Sequence, residues 1–366
     1  MLKIGIITPF SNEFPFMARD FAQGLKFAFN WDEKVSFIHI ETERGLPNEV
    51  SPLFRKLIIN EEVNLIVGML DSLVVKTVKE LITQTRIPLI LAGMGVRLPV
   101  SAGSSSPFIF NNSYRIWESC WLSGRIAGEQ FGKRMGVFSS FYDSGFPLVN
   151  AHTSGAAKAG AQAVFINITH KDKTEAEMLS AQMMLKQTSA DYYFMSYYGK
   201  ERTSMFNWFE SMGTDNRNVV ASSGIQSQGE EVSSVSSWFR DTDLAQNKAF
   251  VSNFKSQTGH EANEFSMLGY ENGILIRETL KRNEVGFDSV RFVEELKQTS
   301  FIGPRGKVSI NPVTQTAYSN HYFYGFDSMN IKKYTSVNYP AAEIEKEILS
   351  DNVANLIGWQ NNYLCK

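Results

Sequence analysis

Five histidines stand at positions 39, 152, 170, 260 and 321. A zinc centre would need a second His or Cys at ligand spacing beside one of them, and none has one. The G-x-S-x-G elbow, the Walker lysine loop and the G-x-G-x-x-G turn do not occur, and Gly93-Met94-Gly95 is only a fragment of the last. The carboxylate pairs Glu61-Glu62 and Glu230-Glu231 read as solvated local charge rather than acid–base partners. With no catalytic set, metal set or cofactor motif, the expectation is a protein that is not an enzyme and carries no cofactor.

Other residues suggest binding chemistry. Ser72 follows an apolar run and precedes a helical pattern. It can act as a helix N-cap, or its hydroxyl and the free N–H groups of the first helical turn can receive an anion. The residue types do not choose between the two. Phe14 and Phe16 lie in a loop, where large apolar side chains are hard to explain as core. Tyr197-Tyr198-Gly199 ends an apolar segment, and aromatic residues there either pack on the sheet edge or face a ligand.

The elements that must position these residues follow from periodicity. The run 65–70 is continuously apolar and stops at Asp71-Ser72. A segment with apolar residues at Leu73, Val74, Val78 and Leu81 has helical spacing, and a second apolar run, 87–91, ends in Ala92-Gly93-Met94-Gly95. Strands so apolar are buried on both faces, as in a parallel sheet covered by helices. Ligands of such sheets bind beyond the carboxyl ends of the strands, so the turns 69–73 and 92–97 form one expected wall of a site. Residues 3–112 read as a βαβαβαβ run, with strands at 3–8, 35–40 and 108–112 and a helix opened by Ser51-Pro52. The pattern restarts over 113–243, where the serine-rich stretch 222–237 reads as loop. Two helices, a turn at 301–306, a strand at 321–326 and a tail with one amphipathic stretch, 342–357, complete the chain.

A length of 366 residues favours two domains. The chain is 43% hydrophobic and 20% charged, and its net charge of −2 comes without a basic stripe, which argues against nucleic acid as a partner. No apolar run reaches the roughly 20 residues of a membrane helix, and the first strand starts so early that no secretion signal is expected in this chain. Cys120 and Cys365 could form a disulfide, and they fit two buried free thiols at least as well.

The order of these segments resembles the type I periplasmic solute-binding proteins, the group of the leucine/isoleucine/valine-binding protein. KIGIITPFSNEFPFMARDFAQGLKFA resembles the family's opening strand, ligand loop and helix. LIVGMLDS resembles its serine turn and PLILAGMG the next strand and turn. DSGF, DYYFMSYYG, VVASSG, FSMLGYENG and FIGPRGKVSIN follow in family order.

The resemblance implies two doubly wound α/β domains joined by a three-segment hinge, closing on a solute. The expected division is 1–112 plus 244–325 in one lobe and 113–243 plus 326–366 in the other. By position, the family's carboxylate-binding serine falls on Ser72 and its backbone-donating turn on Met94 and Gly95. Other ligand-facing positions fall on Phe16 and Met17 of the first loop, on Ser144, Gly145 and Phe146, on Tyr197 and Tyr198, and on Ser222 and Ser223. Amino-acid binders carry an acidic residue at the last pair to hold the ammonium. Two serines stand here, so Asp71 or Glu271 would have to substitute. An aromatic, weakly charged cleft is expected from Phe14, Phe16, Tyr142, Phe146, Tyr197 and Tyr198, suited to a small apolar or aromatic carboxylate. The family further implies a periplasmic or lipid-tethered location, an ABC transporter membrane permease as partner and a monomer. A ligand sensor on the same fold is the alternative role.

Overall fold

In the computed structural model, the described residues are 1–366 apart from 100–105, 142–144, 224–231, 283–285, 327–331, 339 and 350–366. In chain order, β1 (Leu2–Pro9), α1 (Met17–Ala28), β2 (Val35–Thr42), α2 (Pro47–Arg55), β3 (Leu65–Gly68), α3 (Val75–Thr85), β4 (Leu89–Leu91) and β5 (Ile109–Asn111) come first. A second series follows: α4 (Ile116–Gln130), β6 (Arg134–Ser140), α5 (Gly145–Lys158), β7 (Gln162–Thr169), α6 (Glu175–Gln187), β8 (Tyr192–Ser196), α7 (Gly199–Ser211), β9 (Val219–Ala221) and β10 (Ser233–Ser236). Helices α8 (Ala245–Thr258), α9 (Glu264–Leu280) and α10 (Ser289–Lys297) precede β11 (Ser300–Gly303), β12 (Gly306–Asn311) and β13 (Thr316–Tyr318). The chain then forms β14 (His321–Phe326), β15 (Lys332–Val337) and α11 (Ala341–Leu349).

Two sheets result. The first has the order β11-β12-β13-β5-β4-β3-β1-β2 and the second β15-β14-β10-β9-β8-β6-β7. Strands β1 to β5 pair in parallel, as do β6 to β10, and antiparallel strands extend one edge of each sheet. The buried strands β1, β3 and β4 are the apolar runs seen in the sequence. The chain passes between the sheets three times: from β5 to α4, from β10 to α8, and from β13 to β14.

Each sheet is covered by a tightly crossed helix pair. Helix α1 packs on α9 and α4 on α5. The close approach comes from glycines: a Cβ on Gly24 would run into the Ser266 carbonyl and one on Gly269 into that of Phe21. Gly124 and Gly155 meet His152 and Trp121 in the same way in the second unit.

Three elements differ from expectation. Helix α2 begins at Pro47, where Glu49 accepts the Leu46 N–H at 3.4 Å and the Arg44 N–H at 2.9 Å, and Pro52 sits inside it rather than at its start. The serine-rich stretch contains a buried strand, β10, whose backbone is paired on both sides by β9 and β14. Its polarity concealed it, because two of its hydroxyls find partners on other elements: Ser234 Oγ donates to the Ala221 carbonyl at 3.2 Å and Ser236 Oγ to the Tyr114 hydroxyl at 3.0 Å. Strand β14 pairs with β10, so the third passage falls at residues 319–320, ahead of the expected 326.

Candidate functional site

The loops at the carboxyl ends of the first sheet bring several expected residues together. In the loop after β1, the Phe14 N–H donates to Ser11 Oγ at 3.0 Å and the Met17 N–H to the Phe14 carbonyl at 2.9 Å. This compact turn lays Phe14 against Phe16 (ring centroids 6.3 Å apart), and both rings lie 6.0 Å from Phe265, the second residue of α9. The third ring explains why a loop phenylalanine is buried. Met17, the first residue of α1, is wholly buried.

After β3, Asp71 rather than Ser72 is the cap. Its carboxylate accepts the Leu73 N–H at 2.9 Å ahead of a short 3-10 turn, Ser72–Val74, that leads into α3. The other carboxylate oxygen meets Arg97 Nη1 at 3.1 Å, and both side chains are largely buried. Ser72 Oγ donates to the Leu98 carbonyl at 3.1 Å. The 97–98 segment thus lies across the 71–72 turn, and the charge of Asp71 is offset by an arginine 26 residues away. That partner has no local spacing that sequence reading could use.

The Met94–Gly95 turn is tied to the first passage between sheets. The carbonyls of Gly93, Met94 and Gly95 accept the N–H groups of Tyr114, Ile116 and Trp117 at 2.9, 3.1 and 2.8 Å. Gly95 has φ +69°, and a Cβ there would meet Ser113 Oγ at 2.6 Å and the Arg115 backbone. Glycine is therefore required by the neighbouring chain as well as by the backbone angle.

In the second unit, consecutive tyrosines point to opposite sides of an extended backbone. Tyr197 is fully buried in the core with Phe138, Met205 and Phe209, and its hydroxyl meets Thr169 Oγ1 at 3.1 Å. Tyr198 joins the other core, and its hydroxyl donates to the Ser223 carbonyl at 2.7 Å. Arg202 Nη1 donates to the Ser222 carbonyl at 3.2 Å, and its guanidinium lies 5.3 Å from the Phe206 ring centre. Among the described residues, the buried hydroxyls of Ser196, Ser222 and Ser223, at neighbouring strand ends, have no hydrogen-bond partner. Gly145 is pressed against the Ser140 carbonyl at the start of α5, and Phe146 is exposed. Tyr142, Ser144 and Cys365 lie outside the described residues. Cys120 is a buried free thiol whose pKa burial pushes up to about 12.

Glu271 is placed elsewhere. It is fully buried and accepts Arg305 Nε at 2.6 Å and the Arg305 N–H at 3.0 Å. Arg305 also donates to the Ser113 carbonyl at 2.8 Å and to Asn112 Oδ1 at 2.9 Å. The carboxylate thus fastens the β11–β12 turn to α9 and to the first passage, and its charge is already matched, which sets it apart from a ligand-ammonium partner.

A residue absent from the sequence-based set joins the two units. Glu13, in the loop after β1, accepts the backbone N–H of Lys200 in the first turn of α7 at 2.8 Å. The Phe14–Phe16 loop and the Tyr198 loop therefore meet. No group of three or more His, Cys, Asp and Glu residues suited to a metal occurs among the described residues.

Two mixed α/β sheets flanked by helices, with three passages between them and strand-end loops in contact, define a type I periplasmic-binding-protein-like fold. The chain belongs to the periplasmic binding protein family, whose model matches residues 1–330. It is similar to the Leu/Ile/Val-binding protein homolog 6 of Brucella abortus (strain 2308), with 21% identity over 342 residues covering 88% of this chain and 86% of that protein. Its fold is similar to that of a solute binding protein of an ABC transporter from Rhodopseudomonas palustris BisB5, solved in complex with 3,4-dihydroxy benzoic acid. The TM-score is 0.76 at 20% identity, covering 93% of this chain and 99% of that one. A leucine binding protein from Thermotoga maritima MSB8 has a TM-score of 0.70 at 16% identity, covering 93% of this chain and all of that one (100%).

Proposed function

We propose that the protein captures a small carboxylate-bearing molecule between two lobes and delivers it to an ABC transporter permease outside the cytoplasm. The lobes are 1–112 with 244–318, and 113–243 with strands β14 and β15. The observation that carries this reading is the meeting of the strand-end loops of both sheets through Glu13 and the first turn of α7. On one side stands the 71–73 turn, its Asp71 charge offset by Arg97, with the Phe14–Phe16–Phe265 cluster. On the other stand Tyr198 and the hydroxyls of Ser222 and Ser223, which have no partner among the described residues.

This chemistry favours an aromatic or apolar carboxylate with an oxygen substituent over an α-amino acid. Rings give apolar contact, and the hydroxyls supply polar contacts to an oxygen-bearing end. The position expected to hold an ammonium carries serines. The aromatic acid held by the Rhodopseudomonas relative fits the same ranking. Mass spectrometry of small molecules released from natively purified protein, followed by calorimetric titration, tests the reading. An aromatic or branched-chain carboxylate is expected. Binding restricted to sugars or polyamines, or turnover of the bound molecule, would overturn it.

A further inference from the structure

After its third passage between the sheets the chain returns across the boundary once more, as a helix. Strand β15 closes the outer edge of the second sheet beside β14, and α11 then lies back on the first unit. Among the described residues, three contacts hold it. Ile344 is 1% exposed and packs into the larger core. Glu345 Oε2 accepts Asn311 Nδ2 at 3.2 Å, at the end of β12 in the first unit. Glu343 Oε1 accepts Arg125 Nη1 at 3.1 Å, on α4 of the second. A cavity of about 200 Å³ under the helix is walled by Arg115, Glu118, Thr316, Tyr318, Ala341 and Ile344.

Those walls are parts of the hinge. Arg115 ends the first passage and Tyr318 begins the third, and Arg115 Nη1 donates to the Ser319 carbonyl at 3.1 Å. Helix α11 therefore covers two of the three passages while touching both units. The family model ends at residue 330, so this helix lies in the part of the chain that the model leaves unmatched.

We propose that α11 is a strap that ties the two units at the hinge and limits how far they open. This rests on the lobe motion proposed above. A rotation of one unit against the other changes the spacing between α4 and the end of β12. A helix anchored on both must resist the rotation or release one anchor. Among residues 341–346, Ile344 is the buried one, and it supplies the apolar anchor.

The test uses the full chain without ligand. Ile344→Asp removes the apolar anchor, and a separate Asn311→Ala/Arg125→Ala variant removes the polar ones. Hydrogen exchange over 112–118 and 316–321 is read with the radius of gyration from small-angle scattering. Both variants are expected to speed exchange in the two passages by about tenfold and to enlarge the ligand-free molecule, with β1 and β8 unchanged. Faster exchange confined to α11, with the passages and the radius unaltered, would overturn the proposal. If Ile344→Asp unfolds the protein, exchange in β1 and β8 reports it and the second variant decides. Failure to bind benzoate, used as a probe, would count against the functional reading and leave these ligand-free data to judge the strap.

Discussion

Glu13 and Lys200 are 187 residues apart, yet the Glu13 carboxylate accepts the Lys200 backbone N–H at 2.8 Å. The bond joins the loop after β1 to the first turn of α7, next to Gly199, whose φ of +54° turns the chain into the helix. A carboxylate from one unit thus meets the positive end of a helix in the other. It forms only when the units stand in their present relation.

Glu13→Ala is expected to weaken ligand binding without harming the fold. Loss of one hydrogen bond at a partly exposed position costs about 0.5–1.5 kcal/mol of the closed state, which is roughly 2- to 10-fold in affinity. Calorimetric titration beside urea unfolding measures both. Unchanged affinity would mean that this contact plays no part in closure.

The Glu271–Arg305 pair predicts the opposite split. Both side chains are fully buried, and removing one partner leaves an uncompensated buried charge. Glu271→Ala should cost about 3–5 kcal/mol of stability. At temperatures where the variant stays folded, its ligand affinity should match wild type. An affinity loss larger than the stability loss would return Glu271 to the ligand set.

Ser72→Ala tests the anion anchor. The hydroxyl now donates to the Leu98 carbonyl, so the fold should lose about 1 kcal/mol. A carboxylate must draw that single proton away from the Leu98 carbonyl, so affinity for a carboxylate ligand should fall by the difference, about 0.5–2 kcal/mol or roughly 2- to 30-fold. A ligand lacking any anionic group, or an affinity indifferent to this change, would sink the anchor.

Acid should destabilise the protein through its buried histidines. His152 is stacked on Phe194 with ring centres 3.8 Å apart, and burial pushes its pKa from 6.5 down to about 3. His321 is pushed well below 6.5 by burial, reinforced by the Arg115 and Arg305 charges. Below pH 6.5 the unfolded chain takes up protons that the native state refuses. Stability is therefore lost as pH falls from about 7 towards 4, by up to about 1.4 kcal/mol per pH unit for each histidine. His152→Gln should flatten the slope of urea-unfolding free energy between pH 7 and 5. An identical slope in the variant would refute this assignment.

What the chain alone determined was local. Periodicity marked β1, β3, β4 and the helices between them, because burial on both faces writes itself into consecutive residues. The order of those segments carried the family, and the expectation of a site at the strand-end turns 69–73 and 92–97 rests on where parallel sheets place ligands. Tertiary structure decided which side chains those turns present. Tyr197 and Tyr198 are adjacent and chemically alike, and only the sheet sets which one packs with Phe138, Met205 and Phe209. Strand β10 was hidden because its serines lack the apolar signal, and its pairing comes from β9 and β14, the latter nearly ninety residues along the chain. Asp71 found Arg97, Glu271 found Arg305 and Glu13 found the α7 backbone across 26, 34 and 187 residues. Charge pairs carry no periodicity, and the partner of a buried carboxylate is chosen by whichever cation the packed elements bring within reach.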